Sequence, residues 1–163
     1  MTIAAQVTNT PIHITSSSSG ITVSSASTVS RKTASKDVKF EPGLLASAAT
    51  GTINLDMSAA QVIYHSSASA NFIFNFRGDS THTLNEVTEV GHTVTTAIVI
   101  NNGATPYYAT SVKIDGTTVT PKWAGGTAPS AGTASAHDLY SFNILKLTDT
   151  PTYLVLGTFG AYS

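Results

Sequence analysis

The stretch Asn71-Phe-Ile-Phe-Asn-Phe-Arg77 alternates aromatic and other side chains without a break. A period of two puts Phe72, Phe74 and Phe76 on one side of an extended chain, with Ile73 and Asn75 on the other. Alternating phenylalanines left in water would aggregate, so this side belongs to a core. Gly78-Asp79-Ser80 ends the strand.

The same texture continues in both directions. Upstream, Gly51 to Met57 places Ile53, Leu55 and Met57 on one face, and Gln61 to His65 reads as a short strand. Downstream, Val90 to Ile100 is closed by the turn Asn101-Asn102-Gly103. Ser111 to Asp115 then meets Gly116, and Asp-Gly predicts a hairpin because both residues tolerate positive φ. Val119 and Trp123 lie on the return side, followed by the Gly- and Pro-containing loop that runs to Gly132. Tyr140, Phe142 and Ile144 alternate again, and Asp149-Thr150-Pro151 leads to a last strand, Thr152 to Phe159. No segment longer than about ten residues shows helical periodicity, so 44–49 and 58–63 are places for a single turn at most. Roughly eight strands with long and short connections predict an all-β fold. The expected form is an antiparallel β-sandwich, jelly-roll-like, with its strand order left open.

Residues 1–40 differ in kind. They are rich in Ser and Thr, while all six Phe, all six Tyr and the single Trp come after Lys39. Ile12-His13-Ile14 and Ile21-Thr22-Val23 alternate only weakly, so strands there are expected to need a partner's edge. Glu41-Pro42-Gly43 is the first strong turn signal. The expected organisation is an extended N-terminal arm over 1–40, for attachment, and a β domain over 41–163.

Charged residues make up 10% of the chain against roughly 25% in typical soluble domains, and 46 of the 163 residues are Ser or Thr. A weakly charged surface can pack against copies of itself with little charge to desolvate. The net charge of −1 argues against a strongly electrostatic partner such as nucleic acid. Charge is also unevenly placed. Arg31, Lys32, Lys36 and Lys39 face only Asp37 before residue 40, a basic cluster suited to docking on an acidic neighbour. Zero cysteines exclude disulfides and thiolate metal sites. No apolar run approaches the roughly 18 residues of a membrane span, and the first residues lack a signal-peptide pattern. Synthesis in a cytoplasm without secretion is the expectation.

No catalytic constellation stands out. His13, His65, His82, His92 and His137 are scattered without metal-ligand spacing. The nine carboxylates offer no close pair, and no GxSxG elbow is present. Asp79, Asp115 and Asp138 lie near turns without a calcium-loop pattern, which predicts turn capping. The chain is therefore expected to be no enzyme and to hold no cofactor or metal. Tyr107, Tyr108 and Trp123 are candidates for an aromatic platform holding sugar rings, or alternatively for core and interface packing.

Three stretches carry a family resemblance: TINLDMSAAQVIYHSSASANFIFNFRGD, INNGATPYYATSVKIDGTTVTPKWAGGTAPSAG and DLYSFNILK. Across Gly51 to about Phe159 the chain resembles a domain of structural proteins of marine tailed phages, cyanophages above all. The resemblance implies a virion component, such as a fibre, tail-associated or head-decorating subunit, commonly trimeric or otherwise multimeric. It supplies no functional residues. The partners it implies are further copies of the chain and other virion proteins met through the arm, with a host-surface glycan as the alternative.

Overall fold

Over residues 43–163 strands take up 57% and helices 6%, so this protein is mostly β. The computed structural model describes residues 2–7, 10–17, 20–24 and 43–163, in two units, Met1–Lys39 and Phe40–Ser163. In the first unit β1 (Thr2–Val7), β2 (Thr10–Ser17) and β3 (Gly20–Ser24) form an antiparallel sheet in the order β1-β2-β3. The weak alternations at Ile12–Ile14 and Ile21–Val23 fall inside β2 and β3. These strands pair with each other, the central β2 being hydrogen-bonded on both sides.

The second unit opens with β4 (Gly43–Ala46), β5 (Ala49–Asp56), β6 (Val62–His65) and β7 (Ala68–Arg77). A short helix α1 (Leu84–Val87) precedes β8 (Thr93–Asn101) and β9 (Ala109–Ile114). The chain ends in β10 (Thr117–Val119), β11 (Lys122–Trp123), β12 (His137–Thr148) and β13 (Thr152–Tyr162). Two sheets result, one ordered β10-β9-β7-β5 and the other β11-β13-β12-β8-β6-β4.

From β4 to β9 the chain changes sheet at every step. Strands β4, β6 and β8 therefore stack in parallel in one sheet, and β5, β7 and β9 in the other. This corrects the expectation of an antiparallel jelly-roll-like sandwich. Parallel neighbours need a long crossover, and here each crossover is itself a strand of the facing sheet. Antiparallel pairing takes over afterwards, apart from the two-residue β11, which runs parallel to β13. Asp115 (φ 50°) and Gly116 (φ 81°) turn β9 into β10, while β12 returns along β8 and β13 along β12.

The two sheets share one core, and the opening stretch lies at its centre. Phe72, Phe74 and Phe76 on β7 are fully buried and face Tyr140 and Phe142 of β12. Phe74 meets Tyr140 edge-on at 5.2 Å, and Phe76 meets Phe142 likewise at 5.2 Å. The Tyr140 hydroxyl accepts a hydrogen bond from the Ala109 N–H, and burial pushes its phenol well above the usual range.

The α-helical turn sits at Leu84–Val87 and a 3-10 turn at Ala124–Gly126, whereas 44–49 runs in β4 and the start of β5, and 58–63 begins in a turn closed on the Asp56 carbonyl and runs into β6. The ends of α1 explain its placement. Thr83 and Glu86 form a capping box, and the Asp115 carboxylate accepts from the N–H groups of Leu84 and Asn85. At the other end the buried Lys146 ammonium donates to the carbonyls of Asn85 and Thr88 at 3.0 and 2.7 Å. The capping box is local, but the Asp115 and Lys146 contacts join residues 30 or more positions apart, which sequence periodicity cannot connect.

Candidate functional site

The outer faces of the two sheets have opposite character, and strand alternation decides which residues reach them. On the four-stranded sheet the core takes Ile53, Leu55, the three phenylalanines, Val112 and Ile114, so Thr52, Asn54, Asp56, Asn75, Arg77 and Lys113 turn outward. Asp56 and Arg77 form an ion pair, and Asn75 donates to Asn54 at 2.8 Å. That face is built for water.

The outer face of the six-stranded sheet is different. Inward positions of β12 are Asp138, Tyr140, Phe142, Ile144 and Lys146, so Leu139, Ser141, Asn143 and Leu145 point out. Their cross-strand partners are Val99, Ala97, Thr95 and Thr93 on β8, and Gly160, Thr158, Leu156 and Leu154 on β13. Beyond β8 the face continues through Val62 and Tyr64 to Leu45. None of these positions is Asp, Glu, Lys or Arg. The nearest charge in register is Lys122, opposite Leu156 on the outermost strand. Leu45 is 83% exposed, the most exposed of the large apolar side chains among the described residues.

A notch of about 540 Å³ opens in this face where β6 is shorter than β8. Val62, Thr93 to Ala97 and Ser141 line it, with Met57 and Gln61 at its inner wall. The Gln61 carbonyl holds that wall in place, accepting from the Ala97 N–H and the Thr96 hydroxyl, each at 2.8 Å.

The three candidate aromatics occupy separate settings. Trp123 lies in β11, its ring edge-on to Phe142 at 5.6 Å, and stands against Gly157, where a Cβ would approach the indole to 2.9 Å. Two open grooves flank it. One of about 270 Å³ runs along Val119, Pro121 and Pro129, and one of about 340 Å³ along Thr127, Ser130 and Phe159. Tyr107 packs against the core, and its backbone is clamped by Asn102, whose side chain bonds both its N–H and its carbonyl. The fully buried Asp138 orients that amide, accepting from Asn102 at 2.8 Å and from the Thr133 N–H at 3.0 Å. Tyr108 is anchored by Asn71, which accepts from its N–H. Among the described residues no ring contact joins Tyr107 or Tyr108 to Trp123. The basic cluster Arg31, Lys32, Lys36 and Lys39 lies outside the described residues.

No protein-family model matches this chain, and neither does any curated protein or solved structure.

The turn aspartates act on backbone. Asp79 accepts from the N–H groups of Thr81 and His82 and from their side chains. These bonds, led by the Thr81 N–H, hold its carboxyl well below the usual range, and Asp79 in turn raises the His82 imidazole. Asp115 caps α1, and Asp138 ties the segment around Asn102 to Thr133. Of the histidines, His65 is buried against the Ser47 carbonyl, and His137 stacks on Tyr64 with ring centres 6.0 Å apart. Among the described residues no three His, Asp or Glu side chains gather as a metal-binding set. The uncharged face and its notch escaped sequence reasoning. Their only local signal was the paired Leu44-Leu45 just after Gly43.

Proposed function

We propose that this protein is a non-enzymatic structural subunit of a phage virion, a fibre, tail-associated or head-decorating component that works by assembly. In this reading the N-terminal 40 residues dock on capsid, neck or tail, with Arg31, Lys32, Lys36 and Lys39 meeting an acidic neighbour. The β domain associates with copies of itself, as a trimer or another symmetric multimer, and projects outward. The chain is made in the host cytoplasm and resides in the particle.

The observation that carries the reading is the outer face of the six-stranded sheet, broad and free of formal charge from β13 to β4, with Lys122 only at its β11 edge, opposite a face that bears an Asp56–Arg77 ion pair. A soluble single copy has no use for so uneven a surface, whereas a many-copy assembly buries one side and wets the other. The low overall charge supports the same reading. Removing residues 1–30 is expected to leave a folded, self-associating protein that no longer enters particles. Normal incorporation of the truncated chain refutes the docking role, and absence of the full chain from purified particles refutes the virion reading.

A second reading, a glycan-binding tip, has the two grooves beside Trp123 in its favour. It requires retention of at least one sugar on a glycan array, with loss on Trp123→Ala in a protein that keeps its circular dichroism.

A further inference from the structure

We propose that Leu45 of one copy seats in the notch between β6, β8 and β12 of a second copy, and that this contact holds the multimer together. The inference rests on the reading of the β domain as self-associating and adds where it does so.

Knob and hole lie side by side on one face. Leu45 is in register with Tyr64, and Tyr64 is two residues from Val62 on the notch's rim. One strand spacing and one two-residue step separate them by about 8 Å. A symmetry axis passing between them brings Leu45 of each copy to the notch of the other, so one patch supplies both halves of the contact. The chemistry matches as well. Val62, Val94, Ala97 and Met57 give the notch apolar walls, and Leu45 is an apolar side chain left 83% exposed.

The occupant is a second copy because of charge and area. A nucleic acid or a strongly charged protein finds no countercharge on strands β13 to β4 of this face, only Lys122 at its far edge. Across those strands a copy of the same face brings no ion that must be stripped of water. Strands β13, β12, β8, β6 and β4, at about 3.3 Å per residue and 4.8 Å spacing, present a flat area of about 600 Å². Two such faces reach the roughly 1,200 Å² at which specific interfaces begin.

The test uses the full-length chain at micromolar concentration in sedimentation velocity. The wild type is expected to sediment as a multimer. Leu45→Asp is expected to sediment as a monomer with unchanged circular dichroism, its dissociation constant raised at least about 100-fold. Thr52→Asp, on the outer face of the other sheet, is expected to stay multimeric. The absence of cysteine permits an independent check. Mixing the single variants Leu45→Cys and Thr95→Cys under oxidation is expected to yield a disulfide-linked pair containing one of each. A multimer that survives Leu45→Asp, or a mixture that forms no such pair, overturns the placement and leaves self-association standing. A monomeric wild type overturns both.

Discussion

Replacing Phe74 by alanine tests the central assertion about the core, that β7 is clamped between parallel neighbours and faces β12. The side chain is fully buried, with ring neighbours Phe72 and Tyr140 at 5.2 Å, Phe142 at 5.9 Å and Phe76 at 6.3 Å. Truncation returns about 150 Å² of apolar burial, or about 4 kcal/mol at 25 cal/mol per Å². Lost ring pairing and the cavity left behind keep the cost near the upper half of the 3–5 kcal/mol typical of such changes. Unfolding entropy of about 2.1 cal/mol/K per residue, over a unit of about 120 residues, turns 4 kcal/mol into a fall in Tm of about 15 °C. The matched control is Ile73→Ala. Ile73 is the next residue, points to the water-facing side and is only half-buried, so its loss is expected to cost about 1 kcal/mol. Urea unfolding of both variants at one protein concentration, followed by circular dichroism, measures the difference. Equal costs for the two positions, or less than about 1.5 kcal/mol for Phe74→Ala, would refute the placement of β7 against β12.

Gly157→Ala is expected to cost about 1–3 kcal/mol, because the new methyl meets both the Trp123 and Phe142 rings; the emission of the single tryptophan should shift, and an unchanged spectrum with wild-type stability contradicts the packing. His82, raised above its ordinary 6.5 chiefly by its hydrogen bond to Asp79, contributes stability that is full below about 6.5 and fades as pH rises through its folded pKa. Asp79, lowered from 3.8, contributes stability present above that value and lost as pH falls, so the pair is strongest between the two. An NMR titration should place His82 above 6.5 in the wild type and nearer 6.5 in Asp79→Asn, and an identical midpoint in both would exclude the coupling.

Elements whose signal is local were legible. The phenylalanine alternation of β7 and the Tyr140-Phe142-Ile144 alternation of β12 announced a strand and its buried side together, because side-chain period and burial have the same repeat. Asp115-Gly116 announced its hairpin because positive φ is a property of those two residues alone. Gly43 to Ala46, four residues without alternation, offered no such signal, and tertiary pairing with β6 made them a strand instead of a helical turn. The candidate site was hidden for a related reason. Leu45, Val62, Thr95 and Ser141 come from four strands far apart in the chain, and only the cross-strand register brings them onto one face.

The sequence by itself determined that this is a strand-built protein with an aromatic core, few charges and a chemically distinct first 40 residues. Those properties depend on composition and on neighbours within a few positions. The tertiary structure alone decided that β4 to β9 coil between two sheets in parallel, that Lys146 and Asp115 secure the two ends of one short helix, and that one sheet turns outward a face whose only formal charge is Lys122 at its edge. Each of these depends on which distant strands pair and in what register. That choice is made by the packing of the whole core, to which no single segment carries the answer.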